Sequence, residues 1–298
     1  MKEKEIFKEV HMKIAWIGIG VMGENLVKHL LKNNNEVYVY NRTKSKCNNV
    51  VKMGAIQLEK VSDAPKKADI IFTMVGYPSD VEEVYFGKDG LIKTVKENQI
   101  LIDMTTSSPE LAKKINKEFY KKNVNTFDIP VTGGDIGAKN GTLTVFVGGN
   151  EIIFENKLRN LLKIFSKNIK YFGDAGNGQY AKLGNQIAIA TTMISVAESY
   201  KFAQKAGLNL KLFLETISTG SAGSFSMSSY SPRILEKDFK PGFFVHHFIK
   251  DMKLALIECE KLNIKLPGLE LVYNMYNSLS NEIKYNEGTQ SIIKYYEK

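Results

Sequence analysis

The chain has 298 residues, 43% hydrophobic and 24% charged, an ordinary balance for a globular protein long enough for two domains and a sizeable core. Its net charge of +9 comes almost wholly from lysine, because only Arg42, Arg159 and Arg233 are arginines. Lysines scattered among glutamates make a solvated surface, and the scarcity of guanidinium forks speaks against a nucleic-acid partner.

Residues 1–11 are charged, carry no secretory signal and read as an extension ahead of Met12. From Lys13 onward short apolar runs follow one another: KIAWIG, EVYVYN, ADIIFTMV, NQILIDM, VNTFDIP, TLTVFVG and NIKYF. Amphipathic segments such as ENLVKHLLKNN, VEEVYF and PELAKKINKEFYKK lie between several of them, the alternation of a mostly parallel sheet with crossover helices. After the loop GDAGNG the pattern turns wholly helical. About thirty residues of helical periodicity start at Gln179 and stop at Gly207, followed by KLFLETIS, FIKDMKLALIECEKLN and LPGLELVYNMYNSLSNE. The expected division is an α/β domain over residues 12–174 and an all-α domain over 175–298. The longest apolar run, from Ile187, is broken by threonine and serine and is too short to span a bilayer, so no membrane partner is expected. Two distant cysteines, Cys47 and Cys259, fit a reducing compartment and hence a cytoplasmic location. They offer no metal-like spacing. His246 and His247 are adjacent, expected to diverge on a helix, and are assigned no metal.

The first strand runs into Gly18, Gly20 and Gly23 at GxGxxG spacing, with Val21 and Met22 opening a helix. In that context the first glycine permits a tight turn, the second lets backbone approach a pyrophosphate, and the third lets helix pack on strand. The first domain is therefore a Rossmann-type dinucleotide-binding domain. The second strand ends in Asn41, Arg42 and Thr43, with Lys46 beyond, where NAD-selective domains carry an acidic residue. A guanidinium and a hydroxyl without negative charge suit a 2′-phosphate, so NADP(H) is expected, with NAD(H) the alternative.

A second glycine cluster, DIPVTGGDIGAKNGTLTVFVGG, starts at Asp128 and pairs Gly133–Gly134 with the hydroxyl of Thr132. Consecutive unobstructed amides beside a hydroxyl make an anion-binding concavity. Four motifs in order (GIGVMG, this cluster, GNGQYAKLGNQ and FKPGFFVHHFIKDMKLAL) resemble the β-hydroxyacid dehydrogenase family from Met12 almost to Lys298. That group contains 3-hydroxyisobutyrate dehydrogenase, tartronate semialdehyde reductase and the glyoxylate and succinic semialdehyde reductases.

The resemblance implies site roles. Thr132, Gly133 and Gly134 hold the substrate carboxylate, with threonine where the family usually has serine. Lys182 is the general acid/base, made competent by burial, because an ammonium of ordinary pKa near ~10.4 exchanges poorly at neutral pH. Asn185 and Gln186 stand where the family places a substrate-bonding asparagine, and either one faces the ligand. Lys250, paired in sequence with Asp251, reaches the cofactor near the nicotinamide. Met74 and Val75 supply backbone to the nicotinamide ribose, although the familiar Leu-Pro there is replaced. Thr106, with Thr105 next in line, neighbours the nicotinamide. The expected activity is NADPH-dependent reduction of short carboxylated aldehydes such as glyoxylate or succinic semialdehyde to hydroxy acids. The alternatives are a 3-hydroxyisobutyrate dehydrogenase or a tartronate semialdehyde reductase using either dinucleotide. A homodimer or homotetramer is expected from the apolar helical domain.

Overall fold

The computed structural model describes residues 12–279 and 287–297. The chain divides into two compact units, the first ending at Ala181 and the second starting at Lys182. The extension 1–11 and the end of the last expected helix, Ser280–Glu282, lie outside the described residues.

The first unit is a nine-stranded sheet. Its strands are β1 (Lys13–Ile17), β2 (Glu36–Tyr40), β3 (Ile56–Gln57), β4 (Ile70–Thr73), β5 (Ile100–Asp103), β6 (Asn125–Asp128), β7 (Val131–Thr132), β8 (Leu143–Gly148) and β9 (Ser166–Gly173). All seven expected strands are present; β3 and β7, of two residues each, are additions too short for a periodic signal. The spatial order is β3-β2-β1-β4-β5-β6-β8-β7, with β9 on β8. From β3 to β6 every pairing is parallel, for example Ile14 with both Val37 and Ile70. Chain order reverses between β1 and β4, and in an open parallel sheet ligands bind at such a point beyond the carboxyl ends of the strands.

Parallel strands buried on both faces read as continuous apolar runs, which is why β1, β4 and β5 show little alternation. One face carries Trp16, stacked on Phe72 at 5.0 Å and meeting Phe165 edge-on at 6.4 Å. Removing such a ring from a packed core costs about 3–5 kcal/mol. The other face packs Ile17, Ile71, Leu101 and Phe119. Phe119 belongs to the helix Pro109–Tyr120, which starts where the Ser108 hydroxyl accepts the Glu110 and Leu111 amides and Pro109 presets the first turn.

The second unit is helical: Leu210–Ser218, Phe225–Leu235, Val245–Lys261 and Pro267–Leu279, joined by most of the 29-residue helix Asn177–Lys205, which begins in the first unit. Its core centres on Phe248, Met252 and Tyr276. The helix Phe225–Leu235 carries serines and an internal Pro232, which mask its periodicity in sequence; the Ser224 hydroxyl caps it by accepting the Met227 amide. Among the described residues no helix is long and apolar enough to cross a membrane.

Candidate functional site

The three glycines after β1 have three different surroundings. Gly18 has φ +104°, and a Cβ there would lie 2.0 Å from the Met74 carbonyl oxygen. At Gly23 a Cβ would lie 2.2 Å from the Gly18 carbonyl oxygen and 2.9 Å from the Trp16 indole nitrogen. Gly20 has nothing within 4 Å of its missing Cβ. Nothing in the fold obstructs a side chain at Gly20, and the space beside it is open. The helix Val21–Lys32 starts immediately beyond, with Gly20 as its cap and Val21 exposed at its tip. Backbone amides at such a start suit a diphosphate, and the residues present fit a dinucleotide.

The strand ends around this turn converge. The Gly18 amide donates to the Tyr40 carbonyl at 2.9 Å, and the Met74 amide to that of Ile17 at 2.8 Å. Asn41 is used within the protein: its Oδ1 accepts the Ile19 amide at 2.9 Å and its Nδ2 donates to the Thr43 carbonyl at 3.0 Å. It therefore braces the glycine turn from the second strand. Arg42, Thr43 and Lys46 are exposed beside it. The Arg42 side chain is 87% exposed and touches only the rim of the fold, 3.2 Å from an Asp80 oxygen. Asp80 also accepts the Tyr77 amide, where the departure from Leu-Pro at Val75–Pro78 starts the helix Pro78–Phe86.

Beyond β4 and β5 lies a buried network among whose side chains sequence reading named only Thr105 for a role. The Thr105 hydroxyl accepts the Val75 amide at 3.0 Å, and the Thr105 amide donates to Asp103 at 2.9 Å. Gln179 bonds both sides of the same segment: its Oε1 accepts the Ser107 amide and its Nε2 donates to the Thr105 carbonyl, each at 2.8 Å. The Asp128 carboxylate accepts the Gly176 amide at 2.7 Å and the Gln179 amide at 2.8 Å, capping the start of the long helix. Burial pushes its carboxyl up to about 6, and the amides that bond it oppose the rise. The available signal was polar residues in the apolar context of NTFD and in GNGQ. Thr106 is half-buried next to this network.

Thr132 closes β7 and is half-buried; Gly133 (φ +125°) and Gly134 (φ +63°) follow in the region only glycine adopts readily, and a short helix Gly134–Asn140 begins. The two glycines add no side chain of their own to this turn, and Leu143 packs beside Gly133.

In the second unit, Lys182, Asn185, Gln186 and Lys250 come together, along with Asp251. Lys182 is buried, and its Nζ donates to Gln186 Oε1 at 2.7 Å, one helical turn on. The Asn185 Nδ2 donates to the same oxygen at 2.9 Å. Gln186 Nε2 donates to Asp251 Oδ2 at 2.7 Å, and Asp251 Oδ1 lies 2.8 Å from Lys250 Nζ. Burial lowers the Lys182 ammonium to about 8; Asp251 pulls it upward and Lys250 pushes it down. A lysine at that value exchanges a proton close to neutral pH.

His246 and His247 do not diverge as expected. Their rings lie 4.2 Å apart, both against Phe244, because the pair occupies the first turn of its helix where Phe244 packs over it. Among the described residues no group of three or more His, Cys, Asp or Glu is placed to hold a metal ion.

Residues 13–173 match the family model described as the NAD binding domain of 6-phosphogluconate dehydrogenase. Residues 176–296 match the one described as the NAD-binding domain of NADP-dependent 3-hydroxyisobutyrate dehydrogenase. A probable mitochondrial 3-hydroxyisobutyrate dehydrogenase-like protein of Arabidopsis thaliana is 44% identical, covering 97% of this chain and 86% of its own. The 2-hydroxy-3-oxopropionate reductase of Escherichia coli is 32% identical over 90% of this chain and 91% of its own. The structure of Mycobacterium tuberculosis 3-hydroxyisobutyrate dehydrogenase with L-serine shares the fold, with a TM-score of 0.86 at 24% identity, covering 96% of this chain and 99% of that one.

Proposed function

Because the chain belongs to the β-hydroxyacid dehydrogenase family of nicotinamide-dependent oxidoreductases, we propose that it reduces short carboxylated aldehydes such as glyoxylate and succinic semialdehyde with NADPH. The observation that carries this reading is Lys182: a buried ammonium, held by an amide oxygen and lowered to about 8, is a proton donor suited to a carbonyl oxygen. When bound, the nicotinamide supplies hydride to the aldehyde carbon. The C=O π bond breaks, and its oxygen takes the proton from Lys182 Nζ, giving the hydroxy acid and a neutral amine. In the oxidative direction the amine takes the hydroxyl proton. Thr132, Gly133 and Gly134 hold the carboxylate, which orients the carbonyl and selects acids over plain aldehydes. Thr106, Met74, Val75 and Lys250 border the nicotinamide end of the cofactor, and Gly18, Gly20, Val21, Met22 and Gly23 its diphosphate. Self-association belongs to the same reading: Phe202, Leu212 and Phe225 are exposed large apolar side chains of the second unit, available for a second copy to cover.

NADPH is preferred because Arg42, exposed and only loosely paired, is available to a 2′-phosphate. The test follows loss of reduced dinucleotide absorbance with NADPH and NADH across glyoxylate, succinic, tartronate and methylmalonate semialdehydes. Fast turnover is expected with NADPH and the first two. An Arg42→Ala variant raises KM for NADPH by roughly tenfold or more, the worth of a charged hydrogen bond, and leaves NADH unaffected. Preference for NADH or for the branched or hydroxylated acids moves the protein to a 3-hydroxyisobutyrate dehydrogenase or tartronate semialdehyde reductase, the activity by which the Escherichia coli relative is named.

The pH profile has opposite signs in the two directions. Reduction needs the ammonium, so its rate is level below about 8, where Lys182 titrates, and declines above it. Oxidation needs the amine, so its rate climbs through the acid side and levels above the same point. Parallel profiles for the two directions would remove the proton-transfer role from Lys182.

A further inference from the structure

Gln186 sits where the substrate-bonding amide was expected, yet all its polar atoms are engaged by its own unit. It is buried, its Oε1 accepts both Lys182 Nζ and Asn185 Nδ2, and its Nε2 donates to Asp251 Oδ2. We propose that Gln186 is a positioning residue that couples Lys182 to the buried carboxylate of Asp251, holding the lysine in its proton-donating state without a direct ion pair. The inference rests on the role given to Lys182.

The chemistry of a primary amide makes the coupling directional. One end only donates and the other only accepts. Asp251, an acceptor on the helix Val245–Lys261, fixes the donating end toward itself, so the carbonyl must face Lys182. That carbonyl accepts an N–H from Lys182 and opposes loss of the proton. Reversing the amide would set its oxygen against the carboxylate and its N–H groups against the ammonium, two repulsions at hydrogen-bond distance. A carboxylate in direct contact with the lysine would lock it as an ion pair, typically lifting its pKa by about 1–3. The interposed amide keeps the negative charge one residue away, leaving the proton movable. The charged groups acting on Lys182 are Asp251, which favours the ammonium, and Lys250, which disfavours it; Lys250 is itself held against the other oxygen of Asp251 at 2.8 Å. The side-chain length matters: glutamine spans from the lysine on its own helix to an aspartate on the neighbouring one, and asparagine is one methylene shorter.

The test reads the lysine directly, by NMR titration of the Lys182 ε-methylene and ammonium in the full-length protein, assigned by its loss in Lys182→Ala. Gln186→Leu removes the acceptor and the coupling while keeping the volume, and Asp251→Asn keeps an acceptor for the amide but removes the charge. Both are expected to lower the Lys182 midpoint by about one pH unit or more, since each withdraws support from the ammonium. In both, the decline of aldehyde reduction shifts to lower pH by the same amount, and kcat falls more than KM changes. An unmoved midpoint in either folded variant overturns the proposal. So does Gln186→Leu raising KM for the aldehyde more than tenfold with kcat intact, which would make Gln186 a substrate contact. Because the titration needs no turnover, it fails independently of the catalytic role: full activity in Lys182→Ala would sink that role whatever the titration showed.

Discussion

Lys182→Ala is expected to lower kcat for aldehyde reduction by roughly 10²- to 10⁴-fold, the usual contribution of a positioned proton donor, with NADPH affinity retained. The lysine is the buried cation of an ordered chain, Lys182 to Gln186 to Asp251 to Lys250, and burial is what brings it to about 8. Alanine leaves Gln186 Oε1 with Asn185 as a donor, so the helix keeps its bonding while the movable proton is lost. Lys182→Arg separates charge from proton transfer. A guanidinium keeps the positive charge but does not deprotonate in a protein, so oxidation of the hydroxy acid is expected to fall in Lys182→Arg as steeply as reduction falls in Lys182→Ala. Single-turnover kinetics at saturating NADPH, with affinity measured by calorimetry, checks both. Full turnover in Lys182→Ala would remove the proposed mechanism for any substrate.

The glycine turn provides the second large effect, a contrast between neighbours. Gly18→Ala must place a methyl 2.0 Å from the Met74 carbonyl oxygen at φ +104°, where backbone strain alone costs on the order of 1–3 kcal/mol. The clash adds to that, so this variant should melt well below the parent, by about 2–4 °C for each kcal/mol lost. Gly20→Ala meets nothing within 4 Å and should melt with the parent. Its cost appears only with the cofactor: a methyl where backbone must approach a diphosphate weakens dinucleotide binding by roughly tenfold or more. Thermal melting with and without NADPH, plus calorimetric titration, distinguishes the two. A Gly20→Ala variant that binds NADPH as the parent does would show that the diphosphate lies elsewhere.

Much of this is legible along the chain because it is local. The seven longer strands declare themselves by apolar runs between turn residues, and the GxGxxG turn by its spacing after a strand. Lys182 and Gln186 are four apart in a helical segment, so their contact follows from helix geometry. The helix Phe225–Leu235 was not legible, because its serines and Pro232 blur the apolar stripe and its cap is a single hydroxyl. The place of Asn41 at the strand end suggests a cofactor contact, and only the structure shows that its amide also braces the turn, accepting the Ile19 amide and donating to the Thr43 carbonyl.

What the sequence determined alone is the order of the seven longer strands, the GxGxxG turn and the helical spacing that sets Gln186 one turn beyond Lys182. Each depends on residues within one strand, one turn or one helix. What only the tertiary structure decided is the environment of those groups. Asp251 meets Gln186 across 65 positions, and Asp128 meets the Gly176 amide across 48, through helix and strand packing that no local pattern encodes. Desolvation and charge act through space, so the value near 8 for Lys182 and the rise of Asp128 exist only once those distant partners are packed around them.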